Sequence, residues 1–330
     1  MTTRSTWLCS TLFLLSMATG CDEPVDARTA EEDFGGGDVT DRCTVCSGLK
    51  LNTGWLGDEP LSVIDNTGVA FEGKRLQSVT TVDLGVMDLV YVKDGQLWGS
   101  KGGKEYPDKF FLNSVWKLSV AVGTKKYAAT LILKDMGFDS GNRTYEFHNS
   151  YTGPGGTKEP VPTCDDDPET PGEQFGAILS ADIVIDPETA VVKSTPNKIY
   201  FGCVSGGVGK AARWGYPSHK FQPIEFETAI RVVRADYCGT GHSFTKTGMA
   251  LQLTDDWGVN SFVSPNSATE ALWDKTGAFC VGTPRLSSEW PDADAIQEEC
   301  YALGAVPPKL CTASMSLANV PNAMFWSKLP

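Results

Sequence analysis

Two residues that could exchange a proton with a substrate lie close together in the sequence, Asp236 and His242. A carboxylate beside an imidazole can act as a general acid–base pair, so one hypothesis is a hydrolase that uses these two side chains. The competing interpretation is structural: Asp236 accepts backbone N–H groups from residues 239–242, Tyr237 packs in the core and Cys238 forms a disulfide. We favour the structural interpretation and assign no catalytic residue.

Cys21 has the sequence context of a lipid attachment site. Arg4 is followed by an apolar stretch and then by the run Ser-Met-Ala-Thr-Gly that ends directly before Cys21. Such a segment is typical of an export signal, and a cysteine after the cut would carry the acyl chains that anchor a protein stably. We predict a signal peptide over residues 1–20, lipidation of Cys21, and a bacterial envelope protein held on the periplasmic or outer-surface face of a membrane.

Eight further cysteines would remain in the exported chain after the signal is removed. An even number in an exported protein indicates a disulfide framework. The spacing Cys-x-x-Cys at the first pair could also belong to a redox or zinc site, but it lacks the second ligand pair that zinc needs. We predict disulfides, with the connectivity left open, among Cys43, Cys46, Cys164, Cys203, Cys238, Cys280, Cys300 and Cys311.

A weak calcium alternative comes from three acids. Asp135, Asp139 and Glu146 occupy positions one, five and twelve of an EF-hand-like loop, but Gly137 replaces the third ligand and Ser140 the turn glycine. The flanking residues have the pattern of strands. We therefore interpret this segment as an acidic connection between strands and predict no metal and no cofactor.

The net charge of −13 is concentrated in two segments. Residues 22–42 contain eight acids and two arginines, and residues 158–173 contain six acids and one lysine. The rest of the chain has no basic surface signal, which argues against nucleic-acid binding. Residues 21–42 contain almost no large apolar side chains, so they are predicted to form an acidic, disordered tether.

Residues 43–155 have the pattern of a β-rich domain. Residues 89–92 and 96–98 flank an Asp-Gly turn signal, and residues 115–122 and 127–134 form a second pair of alternating strands. No long helical pattern precedes residue 150. We predict an antiparallel sandwich or barrel that ends at the polar stretch 151–173.

Residues 156–330 are predicted to form a disulfide-stapled α+β domain. Hairpins are expected at 182–192 and 269–281. The apolar spacing of Phe226, Ile230, Val233 and Tyr237 predicts a helix with Gly239 as its C-terminal cap. Asp292 is expected to cap a last helix.

The segment Arg-Ala-Asp-Tyr-Cys-Gly at residues 234–239 resembles the ADYC domain, which is found in predicted bacterial lipoproteins. The resemblance extends over residues 160–285 and includes Arg-Trp-Gly-Tyr at 213–216. Where the family pattern implies two more cysteines, this chain has Ala211 and Ala229, which is consistent with one bridge lost as a unit. The resemblance implies no particular reaction, because the family has no assigned activity.

These observations predict an α+β protein that is anchored to a membrane through the lipid on Cys21. Its expected function is that of a non-enzymatic binding or structural module with a protein or glycan ligand. The alternative is an envelope hydrolase with Asp236 and His242 as its acid–base pair.

Overall fold

The computed structural model describes residues 49–153, 156–157, 159–166, 176–246, 248–261 and 267–330. This part of the chain is rich in β-structure, and no helix in it is long and apolar enough to cross a bilayer. Its helices are α1 (Gly207–Arg213), α2 (Pro223–Arg234) and α3 (Ala293–Ala302), with a 3₁₀ turn at Asp108–Phe111. Its strands are β1 (Trp55–Leu56), β2 (Glu59–Pro60), β3 (Val63–Asp65), β4 (Lys74–Thr81), β5 (Gly85–Val86), β6 (Leu89–Lys93), β7 (Gln96–Lys101), β8 (Lys104–Pro107), β9 (Val115–Val122), β10 (Lys125–Asp139), β11 (Asn142–Gly153), β12 (Gly156–Thr157), β13 (Val161–Pro162), β14 (Gly176–Ile185), β15 (Val192–Cys203), β16 (Gln252–Asp255), β17 (Ala268–Asp274), β18 (Gly277–Val281), β19 (Lys309–Leu310) and β20 (Phe325–Leu329).

The largest sheet has ten strands, and all its strand pairs are antiparallel. Its main order is β3-β15-β14-β11-β10-β9-β4-β5, and β12 and β13 also pair with β11. Because β11 pairs with β14, the sheet continues across the expected domain boundary at residues 155 and 156. The polar stretch that suggested this boundary connects two neighbouring strands of one sheet.

The predicted hairpins of the first half are confirmed. β6 pairs with β7, and Asp94 and Gly95 in the turn between them both have positive φ, 51° and 73°. Two such residues in succession are what a tight hairpin turn requires, which is why the Asp-Gly pair was informative. β9 pairs with β10 as expected.

The core beneath the sheet follows the alternation of its strands. On β9, Trp116, Leu118 and Val120 are buried and the residues between them are more exposed. The Trp116 ring packs edge-on against Phe147 of β11, with the ring centres 5.5 Å apart. Phe147 packs in the same way against Phe201 of β15, at 5.4 Å. Side chains from both sides of the expected boundary therefore share this core.

The helix predicted from residue 226 onward exists but ends earlier than expected. α2 starts with a reciprocal capping box between Gln222 and Glu225 and ends at Arg234. Ala235, with a φ of 51°, is its left-handed C-terminal cap, so the assignment of that role to Gly239 was wrong. An αL alanine is less favourable than glycine, and Ala235 holds this conformation in a fully buried position. α1 was not predicted.

The C-terminal part forms a five-stranded sheet in the order β16-β20-β17-β18-β19. The last strand, β20, lies between β16 and β17. Asp292 caps α3 by accepting a hydrogen bond from the Ala295 N–H, as predicted. The β17–β18 hairpin is also confirmed.

Three disulfides confirm the prediction of a disulfide-bonded chain. They join Cys164 to Cys203, Cys238 to Cys300, and Cys280 to Cys311. The first bridge joins the connection after β13 to the end of β15. The second joins the loop after α2 to α3, and the third joins β18 to the residue after β19. Cys21, Cys43, Cys46, the signal peptide and the tether lie outside the described residues.

Candidate functional site

Asp236, the leading candidate for acid–base chemistry, is completely buried after the end of α2. Its carboxylate accepts backbone N–H groups from Thr240 at 3.0 Å and Gly241 at 2.8 Å. Arg231 contacts the same carboxylate at 3.0 Å. Burial raises the pKa of Asp236, and the guanidinium groups of Arg231 and Arg234 oppose that shift. The predicted hydrogen bonds to the following loop are confirmed.

The arginines of α2 connect this carboxylate to the rest of the fold. Arg231 also pairs with Glu227 at 2.8 Å, one helical turn earlier. Glu227 in turn accepts the backbone N–H of Val192, the first residue of β15. Arg234 donates to the carbonyl oxygens of Leu49 and Gly241. The end of α2 is therefore fixed to a strand of the large sheet and to the loop that follows the helix.

Tyr237 belongs to a second buried polar group. Its hydroxyl donates to Glu270 of β17 at 2.7 Å and accepts the backbone N–H of Arg285 at 2.8 Å. The Arg285 side chain pairs with Glu270 at 2.9 Å and donates to the carbonyls of Val232 and Val233 near the end of α2. Burial raises the pKa of Tyr237 far above its usual value, with the Glu270 carboxylate adding to the shift.

Each residue of the Ala-Asp-Tyr-Cys tetrapeptide thus has its own structural role. Ala235 ends the helix, Asp236 holds the next loop, Tyr237 joins α2 to β17, and Cys238 is bonded to Cys300 of α3. Gly239 follows because a Cβ atom there would lie 1.8 Å from the carbonyl oxygen of Thr276. The segment holds two helices and a sheet against one another.

A shallow, solvent-facing cleft with a cavity volume of about 50 Å³ lies elsewhere, between the tips of two hairpins. The β6–β7 turn contributes Asp94 and Gln96, and the β10–β11 hairpin contributes Phe138 and Arg143. His219, from the connection between α1 and α2, lies against the turn, since a Cβ atom at Gly95 would be 2.8 Å from its ring. Burial and Lys220 lower the pKa of His219 and Asp94 opposes them, so the ring is neutral near pH 7.

The tip of the β10–β11 hairpin is fixed by several contacts. Arg213 at the end of α1 pairs with Asp139 at 2.7 Å, and the Asn142 amide donates to the Ala212 carbonyl at 2.9 Å. Arg143 pairs with Asp108 at 2.6 Å, and its guanidinium lies 4.6 Å from the centre of the Phe138 ring. The first residue of the Arg-Trp-Gly-Tyr segment therefore positions one wall of the cleft.

A family model described as the ADYC domain matches residues 111–287. This range is more than half of the chain. It includes Asp236 and Glu270, the carboxylates of the two buried polar groups described above. The chain belongs to the ADYC domain family. The match begins about fifty residues before the segment 160–285 that the motifs alone had indicated, and it takes in β9 to β11. No curated protein matches the chain, and no solved structure does.

The ADYC match contains both residues of the proposed acid–base pair. His242 packs its ring against Phe244, with centres 4.7 Å apart, and against Trp290 at 6.5 Å. The three contacts of the Asp236 carboxylate described above come from Arg231, Thr240 and Gly241. The Asp236 carboxylate is therefore sealed from solvent, whereas His242 is half-buried beside aromatic rings.

Asp135, Asp139 and Glu146 lie in the paired strands of a hairpin, not in the acidic connection that we expected or in the EF-hand-like loop of the weak alternative. Asp135 and Asp139 lie in β10, and Glu146 lies in β11 as the direct cross-strand partner of Asp135. Asp139 pairs with Arg213 and Glu146 with His148. A paired hairpin does not wrap its acids around an ion as a loop does. Across the described ranges, no group of three or more His, Cys, Asp or Glu side chains is arranged to hold a metal.

The sequence reasoning missed the cleft. Asp94 was recognised only as part of a turn, and Phe138, Arg143 and His219 were not identified as candidate site residues. Together these residues span more than 120 positions of the chain, from Asp94 to His219. The turn signal at Asp94-Gly95 was the one local feature that located any wall of this cleft.

Proposed function

We propose that this ADYC protein is a lipid-anchored, non-enzymatic binding module of the bacterial cell envelope. The observation that carries the proposal is the state of Asp236. This carboxylate lies at the centre of the family motif, yet it is buried and occupied by an arginine and two amide groups of its own chain. A general acid or base must reach the proton it transfers, so the burial argues against the hydrolase alternative.

The open cleft supports a binding role. It combines an aromatic ring, amides and a carboxylate on fixed hairpin tips with the imidazole of His219, and such convergent polar groups can fix the orientation of a ligand. We further propose that the sheet β6-β7-β8 packs on the large sheet as a sandwich. The Leu97 N–H of β7 donates to the Tyr145 hydroxyl of β11 at 2.7 Å, which supports this arrangement.

The anchor is proposed from Cys21 and has its own test. The Cys21→Ser chain should move from the detergent phase to the aqueous phase in a phase-partitioning assay, because it lacks the acyl chains that would hold it in detergent. A Cys21→Ser protein that loses its signal and still partitions into detergent would contradict lipidation.

The binding role is tested with the full chain and isolated envelope fractions. We expect the Cys21→Ser chain, which lacks the lipid anchor, still to sediment with the envelope material, and neither chain to release soluble fragments from it. Asp236→Asn should lower the free energy of unfolding by about 1.5–3 kcal/mol, because a buried bond to a charged group is lost. Urea unfolding measures the stability, and chromatography of the supernatant measures fragment release.

The hydrolase alternative makes the opposite prediction for the same protein. Release of fragments by the wild-type chain, together with an Asp236→Asn protein of unchanged stability that releases none, would overturn the binding proposal. His242→Gln provides the second arm, because it is expected to leave sedimentation unchanged in a binding module and to abolish release in a hydrolase.

A further inference from the structure

We propose that the cleft between the β6–β7 turn and the β10–β11 hairpin binds one uncharged sugar ring of an envelope glycan. This inference rests on the proposed binding function and names its ligand class. The cleft is defined here by Asp94, Gln96, Phe138, Arg143 and His219. Three features support a neutral saccharide: an exposed aromatic ring, the type of polar groups around it, and the rigidity and size of the walls.

Phe138 provides the apolar surface. Its side chain is 66% exposed although it lies within the family-matched region. Single exposed apolar residues are ordinary, but this ring borders a cleft and is held in place by the Arg143 guanidinium 4.6 Å from its centre. The C–H face of a sugar ring is the apolar part of an otherwise polar molecule, and a fixed aromatic ring can cover it.

The polar groups around Phe138 match hydroxyl groups. A hydroxyl both donates and accepts hydrogen bonds, and so do the Gln96 amide and a neutral imidazole such as that of His219, while Asp94 accepts. An anionic ligand fits less well. The Asp94 carboxylate would repel it, and the one guanidinium in the lining is already paired with Asp108 at 2.6 Å. Phosphate recognition normally uses arginine or lysine groups that are available to the anion.

The shallowness and rigidity of the cleft limit the ligand to one ring that lies across its mouth. The cavity holds only about 50 Å³, far below the range for enclosed small-molecule sites, so the ring would lie on Phe138 and not inside the cleft. The Arg213–Asp139 pair and the bond from Asn142 to Ala212 fix one wall, and His219 against Gly95 fixes the other. Little conformational freedom is lost when such walls bind a ligand, which favours binding by few contacts.

The test uses saturation-transfer NMR with the full chain in a polyoxyethylene detergent, which contains no sugar. The probes are methyl β-D-glucoside, methyl N-acetyl-β-D-glucosaminide and inorganic phosphate. We expect at least one glycoside to bind and phosphate to leave glycoside binding unchanged. Phe138→Ala should weaken glycoside binding at least tenfold, and Gln96→Ala severalfold. Tyr301→Ala is the matched control, because it removes a 71% exposed aromatic ring from α3.

Several results would overturn the inference. These are no glycoside binding by the wild-type chain, unchanged binding by Phe138→Ala, equal losses in Phe138→Ala and Tyr301→Ala, or displacement of the glycoside by phosphate. Unfolding midpoints verify that the variants are folded, and Gln96→Ala decides the question if Phe138→Ala does not fold. Loss of glycoside binding with intact sedimentation on envelope fractions would reject the ligand class alone, whereas loss of both would also reject the binding function.

Discussion

The buried layer at the end of α2 and the cleft between the hairpin tips contain similar residue types in opposite states. Around Asp236 and Glu270, each carboxylate is buried and paired with an arginine of the same chain. In the cleft, Asp94 and His219 lie at the surface around an exposed ring. The comparison teaches that an acid and a histidine in a family motif do not by themselves indicate chemistry. Accessibility separates the polar groups that build this fold from those available to a ligand.

The buried layer should be the more costly of the two to disturb. Arg285→Met removes the partner of Glu270 and leaves that carboxylate uncompensated, and it also frees two carbonyls of α2. We expect the free energy of unfolding to fall by about 3–5 kcal/mol. Urea unfolding followed by circular dichroism measures the loss, and Gln96→Ala in the cleft should change the same quantity by no more than about 0.5 kcal/mol.

A double variant sharpens this prediction. Glu270→Leu with Arg285→Met removes both charges, so part of the lost stability should return relative to Arg285→Met alone. If Arg285→Met and Gln96→Ala destabilise the chain equally, the contrast between the two regions is wrong.

The disulfide beside Tyr237 gives the next largest expected effect. Replacing both cysteines, Cys238→Ala with Cys300→Ala, should lower the free energy of unfolding by about 2–4 kcal/mol, because the bridge no longer restricts the unfolded chain. Urea unfolding without reductant checks the size of the loss. Glycoside binding in the cleft serves as the control and should persist under native conditions. An unchanged unfolding midpoint would show that this bridge adds nothing to the buried layer.

Much of the local structure could be predicted from sequence, but the arrangement of distant segments could not. The Asp94-Gly95 turn, the alternation on β9 and the Asp292 cap are set by neighbours along the chain, so their patterns were readable. The pairing of β11 with β14 and the contact of Tyr237 with Glu270 depend on segments that the sequence does not place side by side. The cleft could not be predicted from the sequence for the same reason.

The cleft itself gives the smallest predicted effect, a shift in one titration. In the folded chain, the NMR titration midpoint of His219 should lie below its ordinary value of 6.5. Lys220→Gln removes a like charge and should raise the midpoint, while Asp94→Asn should lower it further. The unfolded chain binds a proton on His219 more tightly than the folded chain does. The contribution of His219 to the free energy of unfolding therefore falls as the pH drops below 6.5.

The opposite order of midpoints in the two variants would contradict this account of the cleft. Equal midpoints in the wild-type, Lys220→Gln and Asp94→Asn chains would place His219 away from both charges.

The position of β20 has a consequence for the order in which the molecule folds as the chain emerges N-terminus first. β20 lies between β16 and β17, so the smaller sheet cannot close until residues 325–329 have emerged. Cys238 and Cys280 likewise emerge well before their partners Cys300 and Cys311. During that interval the two early thiols can pair with each other, a trap typical of large chains with late contacts. A disulfide isomerase would then be needed to release the chain into its native pairing.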